Sequence, residues 1–412
     1  MAKKKILWSG DIVAMTGFAR VTENLITRLD DTYEITVLGN NWWGDPAPHL
    51  QSRFRMLPSS NRHQQEPFGV QRIREVVTNE KPDLVFVNND IWIVNQIYSQ
   101  IEDLHKQGKF KFVAYCPMDS YEWAGGLLDK SPAWDQLVIY TQFGAEEFMK
   151  AGYPKEIAVI PHGVTTTQFS TLDKAECRRR LGLKEDMFIV FNGNRNQARK
   201  RQDVTIEAFA DFAVDKPDAM LYMHMGLKDQ GWDIMSVFGQ EMRKRGLDPN
   251  GRIIMTANKP HPPNVPVEML NIIYNAADVG VNTCKGEGHG LVNHEHAACG
   301  VAQVVPNHTS LKEIFEGAGL LIDTAFVDVD LNFNRRMPIP SAKHLTEILN
   351  DLYHDREKLK AIGLACKERA LDPMYQWDTV ADNFRELFAE VLKEEPEKAE
   401  EVVEPAPVLV SK

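Results

Sequence analysis

The segment Gly286-Glu287-Gly288-His289-Gly290-Leu291-Val292-Asn293-His294-Glu295-His296-Ala297-Ala298-Cys299-Gly300 holds the densest chemistry in this chain. Glu287 lies in a glycine-rich turn, and Glu295 follows one turn into a helix that Gly300 closes. Glycines ahead of a helix let backbone N–H groups and the positive helix end approach a phosphate. A carboxylate deeper in the same helix accepts hydrogen bonds from sugar hydroxyls. Phosphate donors beside a hydroxyl acceptor suit a nucleotide-sugar. The plainer account is a glycine turn leading into an ordinary helix, and only other motifs decide against it.

A second candidate is Asn192-Gly193-Asn194-Arg195-Asn196-Gln197-Ala198-Arg199-Lys200-Arg201-Gln202-Asp203, directly after an apolar segment of strand length. Gly193 marks a strand-end turn, and Arg195 and Lys200 supply fixed cations. A departing nucleoside diphosphate gains negative charge, which such cations stabilise. The alternative is a solvated basic helix start, with Arg199 and Arg201 as surface members. Nearer the N-terminus, Met15-Thr16-Gly17-Phe18-Ala19-Arg20 joins the first strand to the first helix. Gly17 there permits close backbone approach to a ligand.

Other motifs are excluded. After Gly10 the chain runs Asp11-Ile12-Val13, so there is no GxGxxG fingerprint, and no GxxxxGK[ST] loop occurs. These absences argue against a dehydrogenase and against a kinase or NTPase. Zinc is disfavoured at His289, His294 and His296, because Ala298 breaks the HExxH pattern. His294 and His296 also point to different sides of a helix. In the loop Tyr115-Cys116-Pro117-Met118-Asp119-Ser120-Tyr121-Glu122-Trp123, Asp119 is placed to orient or deprotonate an acceptor hydroxyl. An N-cap or turn role is its alternative. Trp42 and Trp43 suit stacking on sugar rings or packing against a loop.

These residues need a scaffold, and the apolar patterning supplies one. Strand-length runs at 6–8, 33–38, 83–87, 110–115, 137–140 and 157–160 alternate with helical segments, including 19–29 and 145–151. The alternation restarts at 188–191 and continues through 220–223, 252–255, 279–282, 301–305 and 320–322. Such alternation predicts βαβ units and parallel sheets, here as two Rossmann-like domains facing across a cleft. Expected boundaries are 1–165 for the first domain and 185–374 for the second. The proline-rich run 258–266 reads as a loop on the ligand side of the second sheet. An amphipathic helix over 381–392, preceded by Trp377, follows the second domain.

At 412 residues the chain exceeds one compact core. Its apolar content of 43% and charged content of 25% are ordinary for a soluble protein. The net charge of −11 is concentrated partly in residues 393–412, expected to be a disordered acidic tail. That balance gives no electrostatic footprint for duplex nucleic acid. No apolar run is long enough to predict a transmembrane helix. Five scattered cysteines without a CxxC pair point to a reducing, cytoplasmic setting.

Taken together, the segment from Glu287 to Glu295 resembles the E-x7-E motif of GT4-type retaining glycosyltransferases of the GT-B fold. The resemblance extends over the Gly17 loop, Ile160-Pro161-His162-Gly163-Val164 at the domain junction, Arg195 with Lys200, and Trp377. It departs from the family at Thr165, where an aspartate is common, and at His289, which replaces an aromatic. Asn293 and His294 also replace residues that are often apolar. The resemblance implies an N-terminal acceptor domain, a C-terminal donor domain, and a last helix (377–392) crossing back to the first. It further implies sugar transfer from a UDP- or GDP-sugar to a hydroxyl with retention, without a cofactor or bound metal. Glu287 would hold the transferred sugar, Glu295 the ribose, and Arg195 and Lys200 the phosphates. Gly17, Gly193, Gly288, His289, Gly290 and Leu291 would line the donor site. Acceptors left open are a glycan, lipid, protein or modified nucleobase. An epimerase or phosphorylase on the same fold, or a non-catalytic sugar-binding protein, are the rival functions.

Overall fold

The computed structural model of the protein describes residues 2–60, 66–123, 125–331 and 334–393. The acidic tail lies, from residue 394 onward, outside the described residues. The first sheet contains β1 (Lys5–Asp11), β2 (Glu34–Asn40), β3 (Arg55–Pro58), β4 (Leu84–Asn88), β5 (Lys111–Cys116), β6 (Gln136–Ile139) and β7 (Ile157–Val159). These pair in parallel in the order β3-β2-β1-β4-β5-β6-β7. The second contains β8 (Phe188–Asn192), β9 (Ala219–Met223), β10 (Ile253–Met255), β11 (Val279–Val281), β12 (Ala302–Pro306) and β13 (Leu320–Ile322). Its parallel order is β10-β9-β8-β11-β12-β13. Two sheets, each doubly wound, replace the single continuous sheet that one domain would need.

Burial on both faces explains why these strands read as nearly continuous apolar runs. In the first sheet, alternate residues serve opposite cores. Trp8, Phe86, Val113 and Val138 face one side, while Leu7, Val85, Phe112 and Leu137 face the other. The first side is covered by the helices Gly17–Leu29 and Trp377–Leu392. Phe384 and Phe388 of the last helix meet Phe86 edge-on at 5.5 and 5.4 Å. Each buried phenylalanine contributes about 1.5–3 kcal/mol by area alone, so the crossing helix is part of the first core. Trp377 fixes its entry. A Cβ on Gly163 would fall 2.6 Å from the Trp377 ring, a close approach that only glycine allows.

Three features differ from the sequence pattern. Strand β3 was not anticipated, because Arg-Met-Leu-Pro is a short edge strand ending in proline. The last helix spans Trp377–Leu392, the range the resemblance implies and one turn longer than the amphipathic pattern over 381–392. Most consequential is an antiparallel hairpin, β14 (Thr324–Val329) and β15 (Arg336–Pro340), standing outside both sheets. Phe326, Val327 and Val329 of β14 are exposed, and β15 buries Met337 and Ile339 but interleaves them with prolines, so neither strand shows an ordinary strand pattern in the sequence.

Candidate active site

In open α/β sheets, ligands bind where the strand order reverses, beyond the C-terminal strand ends. That point lies between β8 and β11 in the second sheet. The loop after β8 carries Gly193, Arg195 and Lys200; the loop after β11 carries Glu287, Gly288, His289 and Gly290. Backbone bonds join the two loops, Lys285 N donating to Arg199 O at 2.9 Å. A buried amide network adds to this. Asn282 Nδ2 donates to Asn293 Oδ1 at 2.8 Å, and Asn293 Nδ2 to Gln303 Oε1 at 2.9 Å. Asn293 is therefore a buried hydrogen-bonding residue of the helix Leu291–Ala298, which accounts for a polar side chain at that position.

The structure brings Glu287 and Lys200 together as a buried, hydrogen-bonded ion pair. Arg199 reaches the second Glu287 oxygen at 3.3 Å. Burial alone would raise this carboxyl, but Lys200 and Arg199 outweigh it and hold the group down at about 2. Arg199 is thus a cleft residue and not a surface member of the basic run. Arg201 turns away to Asp203 at 2.7 Å. Arg195 is not gathered in. Its Nε donates to Asp229 Oδ2 at 2.5 Å, and the side chain is 41% exposed.

Glu295 stands in the helix Leu291–Ala298, whose N-cap Gly290 takes a left-handed φ of 91°. Its carboxylate pairs with Arg20 from the first domain and accepts from Tyr274 OH at 3.4 Å. Gly17 and Leu291 also face each other across the cleft; a Cβ on Gly17 would meet Leu291 Cδ1 at 3.4 Å. Gly193 packs against Phe191 and Val292, and Gly288 against Pro117, where a Cβ would lie 2.6 Å from Pro117 Cβ. The glycine turn thus rests directly on the loop after β5.

That loop holds Asp119, which caps no helix. Its carboxylate is paired with Arg335 at 3.0 Å and Arg199 at 3.5 Å, so both partners reach it from the second domain. Trp42 is buried, with Nε1 donating to Asp45 O at 2.8 Å, which removes it from sugar stacking; Trp43 is partly exposed. Asp90 was not singled out from sequence. It follows β4 at the switch point of the first sheet, and burial followed by the nearby Asp119 pushes its carboxyl up to about 7, with Arg199 and Arg335 opposing. An Asn-Asp pair ending a strand beside β1 was the available signal.

Thr309 is a further residue that the sequence did not expose. It has φ 52°, and among the described residues it is the only β-branched one in the left-handed region. Such a conformation costs on the order of 1–3 kcal/mol and persists where surroundings over-determine it. Here Thr309 N donates to Tyr121 OH at 3.2 Å, and its Oγ1 accepts from Glu287 N at 3.3 Å. Ser310 Oγ donates to Glu287 O at 2.7 Å. Thr309→Gly should therefore hold or raise the melting temperature while lowering turnover severalfold, since strain is relieved and the Glu287 contact is lost. Parallel losses of both quantities would contradict that assignment.

His289 belongs to a different environment from the carboxylates. His162, His289 and His294 stack in series, with ring centroids 4.7 and 5.3 Å apart. All three are buried, and no ring nitrogen among them has a hydrogen-bond partner. His296 instead bonds Tyr274 O at 3.0 Å. Among the described residues, no group of three or more His, Cys, Asp or Glu is placed to hold a metal ion. Burial lowers His162 and His294 to about 3 and puts His289 well below its ordinary value. In the unfolded chain these groups titrate near 6.5. Their contribution to stability is present above that pH and is lost as pH falls toward about 3, because the unfolded chain takes up protons that the native state refuses. The loss amounts to about 1.4 kcal/mol per pH unit for each fully depressed histidine. His289→Phe should accordingly raise the melting temperature more at pH 5 than at pH 8; an equal gain at both would show that packing alone matters.

Comparison with protein-family models yields no match. In sequence the chain is similar to a D-inositol 3-phosphate glycosyltransferase of Geodermatophilus obscurus, 32% identical over 174 residues, covering 41% of this chain and 37% of that one. Another from Acidothermus cellulolyticus is 30% identical over 202 residues, covering 48% and 44%. The chain thus spans less than half the length of these two relatives. One from Segniliparus rotundus is 27% identical over 352 residues, covering 77% and 74%. Among solved structures, sucrose-phosphate synthase of Thermosynechococcus elongatus matches with TM-score 0.70 at 17% identity, over 95% of this chain and 100% of that chain. HepE of Anabaena, in complex with UDP and glucose, matches with TM-score 0.70 at 16% identity, over 94% and 100%. The chain therefore has the GT-B fold and is similar in sequence to D-inositol 3-phosphate glycosyltransferases.

Proposed function

We propose that the chain is a retaining glycosyltransferase that moves a sugar from a nucleoside diphosphate donor to an acceptor hydroxyl. The observation that carries this reading is the Glu287 carboxylate held against Lys200 and Arg199 at the β8–β11 switch point. A binding module has no need for buried cations beside a glycine turn, whereas a leaving diphosphate does. Residues 1–165 with helix 377–392 form the acceptor domain, and 185–374 the donor domain.

In the reaction the bond from the anomeric carbon to the donor phosphate breaks, and the acceptor oxygen bonds that carbon on the same face. The acceptor's proton passes to the departing phosphate. Lys200 and Arg195 hold the diphosphate, and Arg199 adds its charge. Arg195 must leave Asp229, whose side chain is only 6% exposed, so the bound diphosphate has to offset the loss of that pair. Glu287 holds the transferred sugar, and Glu295 accepts from the ribose hydroxyls after Arg20 yields. Asp119 orients the acceptor. The donor site, including Gly17, Gly193, Gly288, His289, Gly290 and Leu291, needs no metal in this scheme.

Uridine donors are the first to test, since HepE is a structural neighbour bound to UDP-glucose; GDP-sugars are the alternative. A UDP- or GDP-sugar present at a hundred times its Kd should stabilise the native state by about 2.7 kcal/mol and raise the melting temperature. Incubation with donor alone should leave the sugar's configuration intact. A donor altered without acceptor would instead establish an epimerase.

A further inference from the structure

We infer that the β14–β15 hairpin builds an extension of the acceptor site, and that it receives an uncharged sugar ring of an oligosaccharide. This rests on the glycosyltransferase reading and names the substrate class for the acceptor side.

The hairpin projects from the second domain and pairs with the first. Tyr121 and Arg336 exchange two backbone hydrogen bonds of 3.1 Å, an antiparallel bridge across the cleft. Arg335 lies 5.2 Å from the Trp123 ring centroid while its guanidinium pairs with Asp119. The loop after β5 is therefore held between the glycine turn on one side and the hairpin on the other.

Between hairpin and loop is a cavity of about 670 Å³, lined by Tyr121, Trp123, Val327 and Pro338. That volume falls within the roughly 300–1,000 Å³ of small-molecule sites. It adjoins the reaction centre through Tyr121, whose hydroxyl accepts from Thr309 N, the residue that also contacts Glu287. Both cations lining the cavity are already neutralised. Arg336 pairs with Glu122 at 2.7 Å, and Lys150 with Glu147 at 2.8 Å. The charges of Glu122, Glu147, Lys150 and Arg336 around the cavity sum to zero, so it presents no net positive charge to draw an anionic acceptor. The Tyr121 ring, with charged hydrogen-bonding groups at the cavity edge, suits a sugar ring, whose C–H face packs on it and whose hydroxyls bond outward. A bare alkyl chain would leave those polar groups desolvated and unanswered.

Val327 is 48% exposed and takes no part in the donor machinery, so Val327→Trp narrows the cavity without disturbing the core. Calorimetric titration with a neutral oligosaccharide, and turnover with a UDP-sugar, should be compared in the full chain and this variant. The expected result is at least a tenfold weaker oligosaccharide affinity and acceptor KM, with donor affinity and melting temperature unchanged. Oligosaccharide binding lost in the variant but accompanied by no turnover in either protein with any UDP-sugar or GDP-sugar would support the cavity and overturn the transferase reading. Turnover with an inositol phosphate or an alkyl acceptor, insensitive to Val327→Trp, would overturn the cavity and keep the transferase.

Discussion

Lys200→Ala should lower turnover by on the order of a hundredfold or more, the loss typical of removing a group aimed at developing charge. Lys200 is buried and bonded to Glu287, so it is already fixed before donor binds. Fixed charges of this kind act without reorganisation at the moment the diphosphate departs. The variant also strands the Glu287 carboxylate with Arg199 alone, and breaking a buried pair costs about 3–5 kcal/mol. Melting curves must therefore accompany the rates, and Lys200→Arg separates charge from packing. Arg195→Ala supplies the contrast. Its side chain is 41% exposed but its partner Asp229 is 6% exposed, so the variant leaves a nearly buried carboxylate unpaired, and a hundredfold loss of rate reports on the phosphates only where the melting temperature holds. If Arg195→Ala turns over normally while Arg199→Ala does not, the second phosphate cation is Arg199. Near-normal rates in Lys200→Ala and Arg195→Ala would leave the basic run with no catalytic role.

Arg195 and Arg199 show what spacing conveys and what it does not. The strands were legible because parallel strands buried on both faces must be apolar throughout, as at Leu84–Asn88 and Phe188–Asn192. The glycine turn was legible because Gly288 and Gly290 satisfy backbone demands few other residues meet. Side-chain direction was not. Arg195 and Arg199 are both basic and four apart, yet one meets Asp229 and the other Glu287, and those acids come from distant segments. Cross-domain partners are invisible for the same reason. Arg20 with Glu295, and Arg335 with Asp119, are each more than two hundred residues apart in the chain. In the hairpin, β14 is apolar yet exposed, the reverse of the pattern that marks a buried strand, and β15 carries two prolines that argue against a strand.

Glu287→Ala should chiefly lower the catalytic rate, whereas Glu295→Ala should chiefly weaken donor binding. The two carboxylates share a motif but not an environment. Glu287 is held ionised by two cations at the switch point, where the bond to the leaving diphosphate would break. A carboxylate there interacts more strongly as positive charge develops on the sugar, and such an interaction appears in kcat. Glu295 lies within the helix, facing Arg20 and Tyr274. Hydrogen bonds to ribose hydroxyls are equal in the ground and transition states, so their loss appears in KM for the donor. Glu287 is not merely an acidic residue favoured by a helix dipole, because the helix starts at Leu291 and its first turn holds no acid. Glu287→Gln is the cleaner variant, since it keeps the shape of the side chain while removing its charge. Donor titration of each protein, monitored by thermal shift, separates affinity from rate. Full turnover in Glu287→Gln, with only a few degrees lost from the melting temperature, would reduce Glu287 to a structural partner of Lys200. A Glu295→Ala enzyme with unchanged donor affinity would place the ribose elsewhere, and Arg20 would then serve to hold the domains together.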